Sequence, residues 1–237
     1  MPVLELLSQS TAQMAIAAAG EHLAAALVAA DIRRRNYSGP RLAIPGGSAA
    51  AAMGAALRVL PARVRRRLHL TWVDERCVPI ADEASNCGSA MRAGLVPDDA
   101  AFVQPLWWDG ADPAAVQARM DRVLPERFSD GLDVVLLGLG EDGHIASLFP
   151  GHAAVRSPWE FAPDASVGHV TDAPKPPASR MTLKLGTIGR AGLAVLLALG
   201  EGKRAALTRV LCGDAGLPTV RVDRLIVVTD LELEIPT

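Results

Sequence analysis

The sequence predicts an α/β protein: a mostly parallel sheet with helices on both faces, in one domain over residues 1–237. Three observations lead there. Apolar runs of strand length recur at residues 41–45, 68–73, 133–137, 193–199 and 225–229. Segments of helix length separate them, and strands alternating with helices imply parallel pairing with both faces covered. Half of the residues are hydrophobic, ample for the core of one large α/β domain.

Residues 11–35 read as an amphipathic helix, closed by the stop and turn cluster Asn36-Tyr37-Ser38-Gly39-Pro40. The run 41–45 is a strand. It passes through Gly46-Gly47-Ser48 into an alanine-rich helix that reaches about residue 60. A second strand, 68–73, ends in Asp74-Glu75-Arg76. Ser85 is placed to cap a helix through residue 95. Residues 102–106 read as a strand and 112–128 as a helix. The run DVVLL at 133–137 is the clearest buried strand. Residues 138–177 hold six prolines and read as a long loop region, the kind of segment that carries function. A strand at 193–199, a helix at 201–212 and a strand at 225–229 complete the series.

Composition excludes several classes. The net charge of −2 offers no basic field for nucleic acid. Cys77, Cys87 and Cys212 are odd in number, far apart and without a CxxC, which argues against a disulfide framework and a cysteine-rich zinc site. His22, His69, His152 and His169 show no metal-ligand spacing, so neither metal nor cofactor is expected. No Lys or Arg precedes Arg33, so no secretory signal is read. The uncharged stretch 43–57 is shorter than the ~18 apolar residues of a membrane span, and Pro45, Gly46 and Gly47 interrupt it. A cytoplasmic monomer without nucleic-acid or membrane partners is the expectation. The arginines at 33–35 and 63–67 read as solvated helix ends. Only three of the 24 basic residues are lysines, Lys175, Lys184 and Lys203.

In a parallel α/β sheet, ligands bind at the carboxyl ends of the strands. Three loops stand there. Gly46-Gly47-Ser48, between a strand and a helix, is either an ordinary turn or a phosphate cradle built from backbone N–H groups, a helix N-terminus and a hydroxyl. Asp74-Glu75-Arg76 puts two acids and a guanidinium at a strand end. Gly138, Gly140 and Gly143 match G-x-G-x-x-G, but Glu141 and Asp142 would stand where a dinucleotide's pyrophosphate must lie. Asp142-Gly143-His144 reads better as acid–base chemistry. Histidine exchanges protons near neutral pH, and a carboxylate two residues away can orient its ring. Arg180 and Lys203 are further candidate anion ligands.

These segments resemble a known family. GLGEDGHIASLFPG at 138–151 closely resembles the signature loop of 6-phosphogluconolactonases. WVDERCVP at 72–79 with Ser85-Asn86, the Pro45 to Ser48 loop, KPPASRMTL at 175–183, Gly200 to Lys203 and Leu217-Pro218 follow in the family's order, so the resemblance covers about residues 42–230. Ala49-Ala50 depart from the residues that usually continue the phosphate loop. The resemblance implies a Rossmann-like parallel α/β fold with a small peripheral subdomain, shared with glucosamine-6-phosphate deaminases. The implied reaction is hydrolysis of 6-phospho-D-glucono-1,5-lactone to 6-phosphogluconate. It implies His144 as the base that activates water, Asp142 as its orienting partner, and Arg76 with Asp74 along the sugar and lactone. Gly46, Gly47, Ser48, Arg180 and Lys203 would hold the phosphate. The alternatives are a deaminase on the same fold and a non-catalytic sugar-phosphate binder.

Overall fold

A computed structural model describes residues 3–34, 38–128, 131–152 and 167–234. Its centre is a seven-stranded sheet in which every pairing is parallel. The strands are β1 (Val3–Ser8), β2 (Arg41–Ile44), β3 (His69–Trp72), β5 (Phe102–Gln104), β6 (Val134–Gly138), β9 (Leu193–Ala198) and β10 (Arg224–Thr229), in the spatial order β1-β10-β9-β6-β2-β3-β5. From β2 the chain steps outward to β3 and β5. From β6 it steps the opposite way to β9 and β10. The neighbours β2 and β6 therefore mark the topological switch point, where a crevice opens beyond the carboxyl ends. All residues of β2 and β3 are buried, as are the first four of β6, so these strands are covered on both faces.

The helices form where the sequence supplies caps. Thr11 accepts a hydrogen bond from Met14 N at the start of α1 (Ala12–Arg33). Asp112, followed by Pro113 at the first helical position, caps the later helix Pro113–Arg127 in the same way. Helix α1 packs on α2 (Ala51–Val59) and on β6, β9 and β10. It is less amphipathic than its sequence promised. Ala15, Ala19, Leu23 and Leu27 are fully buried, yet Met14 and Ile32 are exposed on other sides. By length and composition alone α1 could cross a membrane. Glu21 and Asp31 interrupt its apolar run.

Several sequence expectations need correction. β1 went unread because Glu5 interrupts its apolar run. A short helix, α3 (Ala62–Arg65), also escaped notice. The helix expected to reach residue 95 is α4 (Asn86–Arg92), and α5 (Pro113–Arg127) ends one residue short of Phe128. Asp74-Glu75-Arg76 is not a loop but a strand, β4 (Asp74–Arg76). It pairs antiparallel with β8 (Arg180–Leu183), which pairs with β7 (Val167–Val170) inside the stretch expected to be loop. This second sheet, β4-β8-β7, is separate from the main one. Of that loop-rich stretch, residues 153–166 lie outside the described residues. So do Asn36 and Tyr37 of the first turn cluster. After β8 come α6 (Leu185–Gly189) and α7 (Arg204–Leu211), the latter entered through a 3-10 turn at Glu201–Lys203.

The arginine clusters are not simply solvated. Arg34, 13 % exposed, pairs with Asp133 at 2.7 Å, and Arg67 reaches the buried Asp31 at 2.8 Å. Arg65 pairs with Asp99 at 2.8 Å. These pairs tie α1 and α3 to the amino end of the sheet, opposite the crevice.

Candidate active site

The loops after β2, β6 and β9 converge with β4 and β8 on a cleft of about 200 Å³. Gly46, Gly47, Ser48, Asp74, Arg76, His144, Arg180 and Lys203 all line it. Of the residues singled out from the sequence, Asp142 alone does not, and it stands in contact with His144. Segments nearly 160 residues apart are thus brought to the switch point, as the strand-end argument requires.

The loop after β6 is built around His144. Gly140 N donates to His144 O at 2.8 Å, closing a tight turn. A side chain on Gly140 would collide with the His144 ring and the Asp142 carboxylate, so only glycine fits beneath the pair. Asp142 Oδ1 lies 2.5 Å from His144 Nδ1 and also accepts from His144 N at 3.3 Å. A carboxylate there accepts a hydrogen bond from Nδ1–H, which leaves Nε2 as the free base. Burial pulls the His144 pKa down. The hydrogen bond and charge of Asp142 push it up, Lys175 pulls it down again, and the net value lies below the usual 6.5. For Asp142, burial works upward but is outweighed by His144, and its pKa falls below the ordinary carboxylate value. The turn continues through Ala146, a non-glycine residue at φ 52°, which also lines the cleft. Such a conformation is held only by its surroundings.

The β4–β8 pair supplies a buried polar network. Asp74, 5 % exposed, accepts from Ser147 Oγ at 2.6 Å and from Asn86 Nδ2 at 3.1 Å. Glu75 beside it accepts from the backbone N–H groups of Arg76, Asn86 and Cys87 at 2.7, 2.7 and 2.6 Å, and from the Ser85 hydroxyl. Burial raises the Glu75 pKa against these bonds. Glu75 thereby fastens β4 to the start of α4, fixing both Arg76 and Asn86. Arg76 donates Nη1 to Ala84 O at 2.7 Å and lines the cleft.

Arg180 is 3 % exposed and largely engaged. Its Nε donates to Pro177 O at 2.9 Å and its Nη2 to Lys175 O at 2.8 Å. Nη1 stands 3.5 Å from Ser147 Oγ and 3.9 Å from Asp74. Arg180 therefore organises the 175–177 strap, while Lys175 joins Lys203 in lining the cleft. Gly47, at φ 66°, adopts a conformation that side chains disfavour and leads into a 3-10 turn at Ser48–Ala50 before α2. The cleft lining carries the cations Arg76, Lys175, Arg180 and Lys203 against the single carboxylate of Asp74, a local excess suited to an anion.

Sequence reasoning missed Asn86, Ser147 and Lys175 as members of this site. Asn86, Ser147 and Lys175 stand in the quoted motifs, which give none of them a role. Among the described residues no group of three or more His, Cys, Asp or Glu is arranged to hold a metal ion.

The family model described as glucosamine-6-phosphate isomerases/6-phosphogluconolactonase matches residues 10–228. The chain belongs to this family. A 6-phosphogluconolactonase of Mycobacterium bovis is 34 % identical over 215 residues, covering 84 % of this chain and 82 % of that protein. One of Caulobacter vibrioides is 39 % identical over 145 residues, a match spanning 60 % of this chain and 61 % of the relative. A solved structure of a 6-phosphogluconolactonase from Trypanosoma brucei superposes with a TM-score of 0.68 at 25 % identity, covering 97 % of this chain and 96 % of that one. One from Neisseria gonorrhoeae reaches 0.78 at 26 %, covering 97 % and 99 %. The isomerase/lactonase family fold thus runs through nearly the whole chain.

Proposed function

We propose that this protein is a 6-phosphogluconolactonase that hydrolyses 6-phospho-D-glucono-1,5-lactone to 6-phosphogluconate with a water activated by His144. The single observation that carries the reading is the Asp142–His144 pair facing a cleft with an excess of cationic groups. The lactone carbonyl is already electrophilic, so one positioned base suffices and no covalent nucleophile is needed. His144 Nε2 takes a proton as the water oxygen bonds to C1. The carbonyl π pair moves onto oxygen, where Arg76, which lines the cleft, balances the charge. Collapse of the tetrahedral intermediate breaks the C1 to ring-oxygen bond, and the imidazolium returns its proton to that oxygen. The phosphate is held by the N–H groups of the Gly46 to Ser48 turn with Lys175 and Lys203, which fixes C1 against the water. Arg180 acts chiefly by holding the strap that carries Lys175. Asp74 is held by Ser147 and Asn86 at the wall of the sugar site.

The base must be neutral to act. Its pKa is depressed, so the active form predominates above a midpoint lower than the usual imidazole value. The acid limb of kcat/KM is therefore expected below pH 6.5, with activity rising as pH increases. A limb well above 6.5, or activity falling over that range, would contradict His144 as the base.

Lys203→Ala is expected to raise KM for the phosphorylated lactone about tenfold or more, with a smaller change in kcat. Hydrolysis of unphosphorylated glucono-1,5-lactone should be insensitive to it. An unchanged KM would place the phosphate elsewhere. The same family includes isomerases acting on glucosamine 6-phosphate. The run Ser147-Leu148-Phe149-Pro150 after His144 carries no acid for that chemistry. The proposal is tested by comparing lactone hydrolysis with ammonia release from glucosamine 6-phosphate. Ammonia release without lactonase activity would overturn it.

A further inference from the structure

Phe149 stands beside His144 and has no part in the chemistry described so far. It follows the turn in which Leu148 N donates to Ile145 O at 2.9 Å. It is 2 % exposed and packs with Val170 and Ala173 rather than in the main core. Its ring centroid lies 4.6 Å from that of His144, the planes inclined at 44°. The guanidinium carbon of Arg180 lies over the same ring at 5.6 Å. One phenyl ring thus contacts both the base of the site and the cation that organises its strap.

We infer that Phe149 is a positioning residue that fixes the His144 imidazole and covers the side of the ring it packs against, so that the base stays neutral and ready. The inference rests on reading His144 as the base. A hydrocarbon ring in place of water withdraws the solvation an imidazolium needs. An aromatic face can also attract a cation. Here that ring already serves Arg180, and protonating His144 would bring a second positive charge to it. The other charged groups around His144 are Asp142 on its own loop, Asp74 on β4 and Lys175 on the strap. The carboxylates favour the imidazolium and Lys175 opposes it. Behind them Arg209 reaches Asp142 O at 3.5 Å. His152, whose ring centroid lies 6.3 Å from that of Phe149, pairs with Asp172 at 2.8 Å. Burial, to which Phe149 contributes, outweighs the two carboxylates.

The test is a graded series in the full chain: Phe149→Leu, Phe149→Val and Phe149→Ala. The His144 ring is titrated by NMR, its signals assigned by their loss in His144→Ala, and kcat and KM are followed against pH. Leu keeps the apolar cover and should titrate as the wild type does. Val and then Ala should move the midpoint progressively upward toward 6.5. In the Ala variant kcat is expected to fall roughly tenfold while KM stays within about twofold. An unchanged or lowered midpoint in folded Val and Ala variants would overturn the inference, as would a Leu variant displaced as far as Ala. If the Ala variant does not fold, the Val variant decides by the same criterion. The titration needs no substrate, so a failure of lactone hydrolysis would refute the functional reading without deciding this one.

Discussion

Replacing His144 by alanine is expected to lower kcat for the 6-phospho lactone by about 10²–10⁴-fold, the contribution of one positioned general base. The fold should survive. The loop is closed by a backbone bond, Gly140 N to His144 O, which the substitution retains, and the ring is not part of the main apolar core. KM should change little, because the phosphate and sugar groups bind elsewhere in the cleft. The pattern of lost kcat with retained KM marks an interaction made in the transition state. It is checked by steady-state kinetics at pH 8, where the base is unprotonated, with thermal melts of both proteins. Near-normal turnover in a folded variant would remove His144 from the mechanism.

Arg180→Met is expected to lower stability by about 3–5 kcal/mol, the range found on breaking a buried charge pair. For a chain of this size that corresponds to a Tm decrease of roughly 10 °C. The methionine keeps most of the stem but removes the donors to Pro177 O and Lys175 O. It also removes the cation that stands 3.9 Å from the buried Asp74. The strap then loses its anchor and Lys175 its placement, so kcat and KM should both worsen. Had Arg180 served only as a phosphate ligand, the variant would melt as the wild type does and raise KM alone. Calorimetry alongside kinetics separates the two.

The two arginine and histidine roles differ in how far the sequence reveals them. Asp142 and His144 are two residues apart in a glycine-rich turn after an apolar strand, and that local spacing allows the contact the structure shows. Arg180 gives no such sign, because its acceptors are backbone carbonyls of a strap whose path depends on tertiary structure. The same distinction holds for the strands. β2, β6 and β9 are buried apolar runs, legible by composition. β4, β7 and β8 have three or four residues each and are partly polar, and Asp74 finds its partner Thr182 more than a hundred residues later. Long-range pairing of this kind leaves no period to read. For the same reason Ser147 and Asn86 escaped: their bonds to Asp74 span 73 and 12 residues. Helix α1 shows the opposite failure. Its apolar residues are so numerous that they do not mark a single face, and packing against α2 and the main sheet decides which of them are buried.

The most direct measurement is lactone hydrolysis by the purified protein, with 6-phosphogluconolactone generated in place by a glucose-6-phosphate dehydrogenase and spontaneous ring opening subtracted. The account predicts acceleration proportional to enzyme concentration that is lost in His144→Ala. A well-folded wild type that leaves the spontaneous rate unchanged would contradict it.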